Sequence, residues 1–245
     1  MKSLIDIAGQ NFIVTGAAKG IGLAISSLFN SLGAKVSGWD LDDAGMKNNL
    51  VFADSQIVDV TDPLQTKKGF AASLAALGDI DGVIANAGVN GPTKPLWDYS
   101  LSEWQMVMSV DLTGVFLTVQ AALGHLRERE RGRVIIISSI AGKEGNPGAV
   151  PYGAAKAGVI GFAKGLAREL LPSEITVNCI APSMAMTDLL DEMSAEYIAD
   201  KKSRIPMGRL CTPEEIANVA AFIASPACSF TTGQIFDVTG GRATW

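Results

Sequence analysis

The chain has 245 residues, 48% of them hydrophobic, with 20 basic and 25 acidic side chains and a formal charge of −5. That length suits one large α/β domain or two small ones around a sizeable core, and the acidic balance argues against a nucleic-acid or anionic-membrane partner, either of which needs a basic face. Cys179, Cys211 and Cys228 are odd in number, widely spaced and form no CxxC, which argues against a disulfide framework or a zinc or other metal site and points to a reducing cytoplasm.

No long apolar stretch precedes Phe12, so no secretion signal is expected, and without a run of about 18 apolar residues no membrane span is expected. Strand candidates follow in order at Asn11–Thr15, Lys35–Trp39, Gln56–Val60, Gly82–Ala85, Arg133–Ser138, Thr176–Ile180 and Gln234–Val238. Segments rich in Ala, Leu and Lys at helical spacing separate them, the alternation of a parallel sheet with helices on both faces. The run Val134-Ile135-Ile136-Ile137 is apolar throughout, as a strand buried on both faces requires. Ser100-Leu101-Ser102-Glu103 is a capping-box pattern, and Thr212-Pro213-Glu214-Glu215 places a capping Thr before Pro and acids in a first helical turn. No repeat or linker divides the chain. The expectation is one domain over residues 1–245, a doubly wound Rossmann-type sheet of about seven strands, with a mobile substrate loop around 182–208.

The first strand runs into Thr15-Gly16-Ala17-Ala18-Lys19-Gly20-Ile21-Gly22. A glycine-rich turn between strand and helix lets main chain approach a pyrophosphate, and the helix N-terminus offers unpaired N–H groups and partial positive charge. With its glycines spaced G-x-x-x-G-x-G, this segment resembles the cofactor loop of short-chain dehydrogenases/reductases, and the later landmarks of that family occur in order over essentially the whole chain.

The second strand ends at Asp40, followed by Leu41, Asp42 and Asp43 with no base among them. An acid there accepts the adenosine ribose hydroxyls and repels a 2′-phosphate, which favours NAD. Lys19 is able to pair with that phosphate or equally with the pyrophosphate. The resemblance implies that Asp59 and Val60 hold the adenine edge and that Asn86, Ala87 and Gly88 border the cofactor.

Tyr152 and Lys156 stand one helical turn apart and share a face. A tyrosine acting as a base near neutral pH needs its phenolate stabilised by about 3 pKa units, roughly 4 kcal/mol. A lysine ammonium, the nicotinamide charge and a helix N-terminus together supply much of that. The resemblance places the catalytic serine at Ser139, with Ser138 structural. It also places a fourth catalytic position within Val110-Asp111-Leu112-Thr113-Gly114-Val115-Phe116, where this chain carries Asp111 in place of the family's usual Asn. A carboxylate there would raise the pKa of Lys156. A second departure is Pro182-Ser183 in place of Pro-Gly. Ser183 and Met184 are expected to meet nicotinamide through main chain, and Thr187 matches the threonine that binds its carboxamide. His125, the one histidine, lacks a catalytic pattern around it.

Candidate substrate-lining residues are Asn90, Lys143, Glu144, Asn146, Met184 and Met186. The C-terminus Gly240-Gly241-Arg242-Ala243-Thr244-Trp245 resembles that of sugar and sugar-acid dehydrogenases of the family. That resemblance implies a sugar acid such as 2-keto-3-deoxy-L-fuconate, or a sugar or polyol, with Arg242 or Lys143 meeting a carboxylate. The competing readings are an NADPH-dependent 3-oxoacyl-carrier-protein reductase and a non-catalytic NAD-binding regulator. Gly158, Gly161 and Gly165 nearly share one helix face, where close packing against another helix would explain their cost of about 1 kcal/mol each. A homotetramer is expected, with Trp245 at a subunit interface that reaches a neighbour's active site.

Overall fold

The computed structural model describes residues 5–187 and 195–243. Its centre is a seven-stranded parallel sheet in the order β3-β2-β1-β4-β5-β6-β7. The strands are β1 (Asn11–Thr15), β2 (Lys35–Asp40), β3 (Asp54–Ile57), β4 (Gly82–Ala85), β5 (Arg131–Ile137), β6 (Glu174–Pro182) and β7 (Ile235–Val238). The helices are α1 (Gly20–Ser31), α2 (Asp43–Asn48), α3 (Pro63–Leu77), α4 (Leu101–Met108), α5 (Gly114–Glu128), α6 (Ala141–Glu144), α7 (Val150–Glu169), α8 (Ala195–Ser203) and α9 (Pro213–Ala224).

The apolar strands divide their side chains between two cores. Phe12, Val14, Ile135, Ile137 and Ile180 face α1 and α9, where they meet Ile25, Phe29, Ile216 and Ala220. Their neighbours Ile13, Val134, Ile136, Val177 and Cys179 face α5 and α7, against Val115, Val119, Val159 and Ala163. Period-two alternation thus sends successive residues into opposite apolar layers, and each fully buried side chain of this size contributes about 1.5–3 kcal/mol. Phe12 and Phe29 pack edge to face, with ring centroids 4.8 Å apart. Both capping boxes form: Glu103 accepts from the Ser100 amide at 2.7 Å, and Glu215 from the Thr212 amide at 2.9 Å.

β1 and β4 fall where expected, whereas the other five strands differ from the expectation at one or both ends. β3 ends at Ile57, because this edge strand pairs only with Ser37–Asp40 of β2, after which the chain turns Val58 and Val60 inward. β6 continues to Pro182, since β7 pairs with Cys179–Pro182, reaching beyond the last residue that β5 pairs with. The 182–208 connection is not irregular throughout: it contains α8, and Ala185 bridges to Cys211, while residues 188–194 lie outside the described residues.

α4 passes into α5 through a wide π turn, Ser109–Thr113. The combined helix Leu101–Glu128 is long and apolar enough to cross a membrane by length and composition, with a mean hydropathy of 1.6. It serves here as a core helix, packed on β4, β5, α3 and α7.

Candidate active site

The order of the sheet reverses between β1 and β4, and a cleft of about 470 Å³ opens at the carboxyl ends of the strands on either side of that point. Its β1 side is main chain. Gly16 and Gly20 adopt φ of +63° and +57°, conformations that strain any residue with a Cβ. A Cβ on Gly22 would lie 2.0 Å from the Gly16 carbonyl oxygen, so the loop closes on α1 only with glycine there. The Asn86 amide donates to the carbonyls of Thr15 and Gly16 at 2.9 and 3.1 Å, and Thr15 Oγ1 accepts from the Asn86 and Ala87 amides, both at 3.0 Å. β4 thereby braces the loop. α1 has no acid in its first turn and no side-chain cap, which leaves its N-terminal N–H groups for an anion. Lys19, Gly20 and Ile21 line the cleft beside them.

Asp40 ends β2 on the same wall. Its carboxylate is held by the Ala18 amide at 2.9 Å and the Asp42 amide at 3.0 Å, and Leu41 stands exposed at the rim. Asp59 and Val60 continue this wall; one Asp59 oxygen accepts from both the Thr61 amide and its hydroxyl, which ties that carboxylate into a turn. Gly88, Pro182, Met184 and Thr187 line the cleft further along. Ser183 Oγ is buried at its edge without a hydrogen-bond partner among the described residues. A glycine cradle, a bare helix N-terminus, a fixed acid and an orphaned hydroxyl in one cleft suit a nicotinamide dinucleotide.

The face that carries Ser139, Tyr152 and Lys156 stands opposite. α7 begins at Val150-Pro151, which puts Tyr152 in its first turn and Lys156 one turn on. Lys156 is 3% exposed; its Nζ donates to the Ile137 carbonyl at 3.0 Å and lies 5.6 Å from the Tyr152 ring centroid. Ser139 follows β5 on the same wall, its Oγ accepting from the Ala141 amide at 3.1 Å. Ser138 also borders the cleft, but its hydroxyl donates to the Lys156 carbonyl at 2.9 Å, tying β5 to α7.

Asp111 lies behind this face, on the π turn, with Oδ1 3.1 Å from Lys156 Nζ and no solvent exposure. Burial pushes its carboxyl above the usual carboxylate range, opposed by the Lys156 ammonium. For Lys156, burial works to lower the ammonium, and Asp111 with Tyr152 more than offsets it, leaving it above the usual lysine range.

At the mouth, Asn90, Asn146 and Met184 reach the cleft, whereas Lys143, Glu144 and Met186 do not line it. Lys143 pairs with Asp237 at 2.6 Å, because its position on the short α6 aims it at β7. Glu144 is engaged by Arg242 at 2.7 Å, and Met186 is 51% exposed. Of the two bases anticipated for a carboxylate, Arg242 lines the cleft and Lys143 does not. Lys201 was not anticipated: it lies on α8, 7% exposed, lines the cleft and donates to Asn146 Oδ1 at 3.1 Å. Its segment carries Lys201 and Lys202 side by side, and nothing local marks which turns inward. Trp245 lies outside the described residues. His125 pairs with Asp79 at 2.9 Å, away from the cleft.

A family model described as enoyl-(acyl-carrier-protein) reductase, a short-chain dehydrogenase model, matches residues 16–243. The chain is 37% identical over 241 residues to a 2-dehydro-3-deoxy-L-rhamnonate dehydrogenase (NAD(+)) of Sphingomonas sp. (strain SKA58), covering 97% of both chains. It is 35% identical over 241 residues to a 3-oxoacyl-[acyl-carrier-protein] reductase of Escherichia coli (strain K12), covering 97% of this chain and 98% of the relative. Among solved structures, a 3-ketoacyl-(acyl-carrier-protein) reductase from Brucella melitensis complexed with NADH superposes with a TM-score of 0.91 at 28% identity, covering 99% of this chain and 100% of the other.

Proposed function

The chain belongs to the short-chain dehydrogenase/reductase family of oxidoreductases acting on CH–OH donors, and on that premise we propose that it uses NAD to oxidise a secondary alcohol of a sugar acid to a ketone, reversibly. The observation that carries this reading is the placement of Ser139, Tyr152 and Lys156 on one wall of the cleft whose opposite wall is the glycine loop.

When bound, NAD supplies the hydride acceptor. The loop amides and the α1 N-terminus hold its pyrophosphate, and Asp40 accepts the ribose hydroxyls and repels a 2′-phosphate. Tyr152 Oη takes the proton from the substrate hydroxyl while Ser139 Oγ donates a hydrogen bond to the same oxygen. Lys156, fixed by the Ile137 carbonyl, stabilises the phenolate with its charge. In reduction, the same groups return the proton.

For the substrate, Arg242 and Lys201 set two cationic side chains at the mouth with Asn90 and Asn146, a polar lining suited to a carboxylate and hydroxyls. The Sphingomonas relative is named for a 2-keto-3-deoxy sugar acid and NAD, which supports the same class here, with 2-keto-3-deoxy-L-fuconate and its rhamnonate counterpart as the leading compounds. The similarity to 3-oxoacyl-[acyl-carrier-protein] reductases favours a second reading, reduction of a 3-oxoacyl thioester with NADPH. Initial rates decide between them. NAD reduction with 2-keto-3-deoxy sugar acids, exceeding both polyol oxidation and NADPH-dependent thioester reduction, is the expected result; the reverse ranking overturns the proposal.

The reading extends to a cytoplasmic homotetramer. Cys179, Cys211 and Cys228 are free buried thiols, as a reducing compartment allows. On α7, Gly158 packs under Leu112, while Gly161 and Gly165 face open space with Phe116 of α5 41% exposed, a surface fit for a second helix pair. Sedimentation of the full chain tests this, a monomer being the contrary result.

A further inference from the structure

Deep behind the proton-transfer face, a carboxyl and an amino group are sealed from solvent together. Asp111 receives the Val89 amide at 3.3 and 3.2 Å on its two oxygens and faces Lys156 Nζ at 3.1 Å. Gly88 closes the pair from above: a Cβ there would come within 2.5 Å of Asp111 Oδ1 and 3.2 Å of Lys156 Nζ. Salt screens a pair buried this deeply very little.

The other groups around the pair bring no compensating charge to it. Cys179 on β6 faces Lys156, but burial pushes its thiol up to about 12, so it stays neutral in the working range. Lys164, further along α7, acts on Cys179. Across the cleft Arg242 is matched by Glu144, and Lys201 is engaged with Asn146 and lies 4.0 Å from Asp200.

We propose that Asp111 is an ionised positioning residue that sets the pH at which the Tyr152–Lys156 pair releases its proton, holding that proton to higher pH than the lysine alone would. The inference rests on Tyr152 and Lys156 being the proton-transfer groups. Tyrosine and lysine at this separation titrate as a pair, and the first proton leaves the pair as a whole. A fixed negative charge beside them delays that loss whichever group releases the proton, so the acid limb moves the same way under either assignment, and the phenolate moves with it while Lys156 keeps its proton.

Asp111→Asn keeps the shape and removes the charge. Two readouts are taken: the acid limb of kcat/KM for NAD reduction, and the phenolate absorbance titration of the substrate-free protein after subtracting that of Tyr152→Phe. Both are expected to move to lower pH by about one unit or more. Asp111→Glu restores the charge and should move both back; Asp111→Ser is the second neutral variant if the Asn protein does not fold. Loss of turnover with both pH positions unmoved overturns the proposal, because a carboxyl that is already protonated or merely structural gives that result. A phenolate step that shifts in a protein reducing no NAD with any alcohol upholds the role of Asp111 and overturns the dehydrogenase reading instead.

Discussion

At the β1–α1 end of the cleft the binding surface is main chain, shaped by Gly16, Gly20 and Gly22 and tied to β4 by Asn86. At the β5–α7 end it is side chains: Ser139, Tyr152 and Lys156, with Asp111 behind. The first end has no room for added atoms but little stake in side-chain chemistry. The second has its geometry spread over several elements and depends on the charge and acidity of each group. A methyl group is therefore the damaging change at one end, and the loss of a single oxygen or charge at the other.

The sharpest break in that contrast comes from Tyr152→Phe. Turnover should fall roughly 10²–10⁴-fold while NADH affinity, read by fluorescence titration, stays the same; a parallel loss of affinity would erase the distinction between the two ends. Next in size is Asp40→Ala, expected to reduce the preference for NAD over NADP by roughly a hundredfold, because a like-charge contact with a 2′-phosphate costs several kcal/mol. An unchanged ratio of kcat/KM values would remove Asp40 from cofactor choice. Gly22→Ala drives a methyl group against the Gly16 carbonyl, a strain of about 1–3 kcal/mol that should raise KM for NAD roughly tenfold and leave kcat at saturation nearly intact. A fall in kcat alone would mean that the loop also shapes the chemical step. An effect of similar size is expected at the mouth: Lys201→Met should raise KM for a carboxylated sugar acid roughly tenfold and leave KM for a neutral polyol unchanged. Equal changes for both substrates would show that Lys201 supports α8 and not the carboxylate.

The places of the glycine loop, Asp40, Tyr152 and Lys156 along the cleft were legible because each is a local pattern, decided within one turn or one strand end. Strand edges were less so. β3 stops where its single neighbour stops offering hydrogen bonds, which no local propensity records. Lys143 and Lys201 mark the limit at the mouth. The first follows Ser139 by four residues yet turns to Asp237 on β7, and the second is distant in sequence yet enters the cleft from α8.

By itself the sequence determined the class of fold and the family: alternating apolar strands and helices, a loop only glycine can make, and a tyrosine one turn from a lysine. Tertiary structure decided which charges meet. Asp111 and Lys156 come from different helices and form an ion pair because the π turn carries the carboxylate beneath Gly88 and onto α7. Local rules govern a dihedral angle or a helical face, but the energy of a buried charge depends on partners that the chain brings together only when it folds.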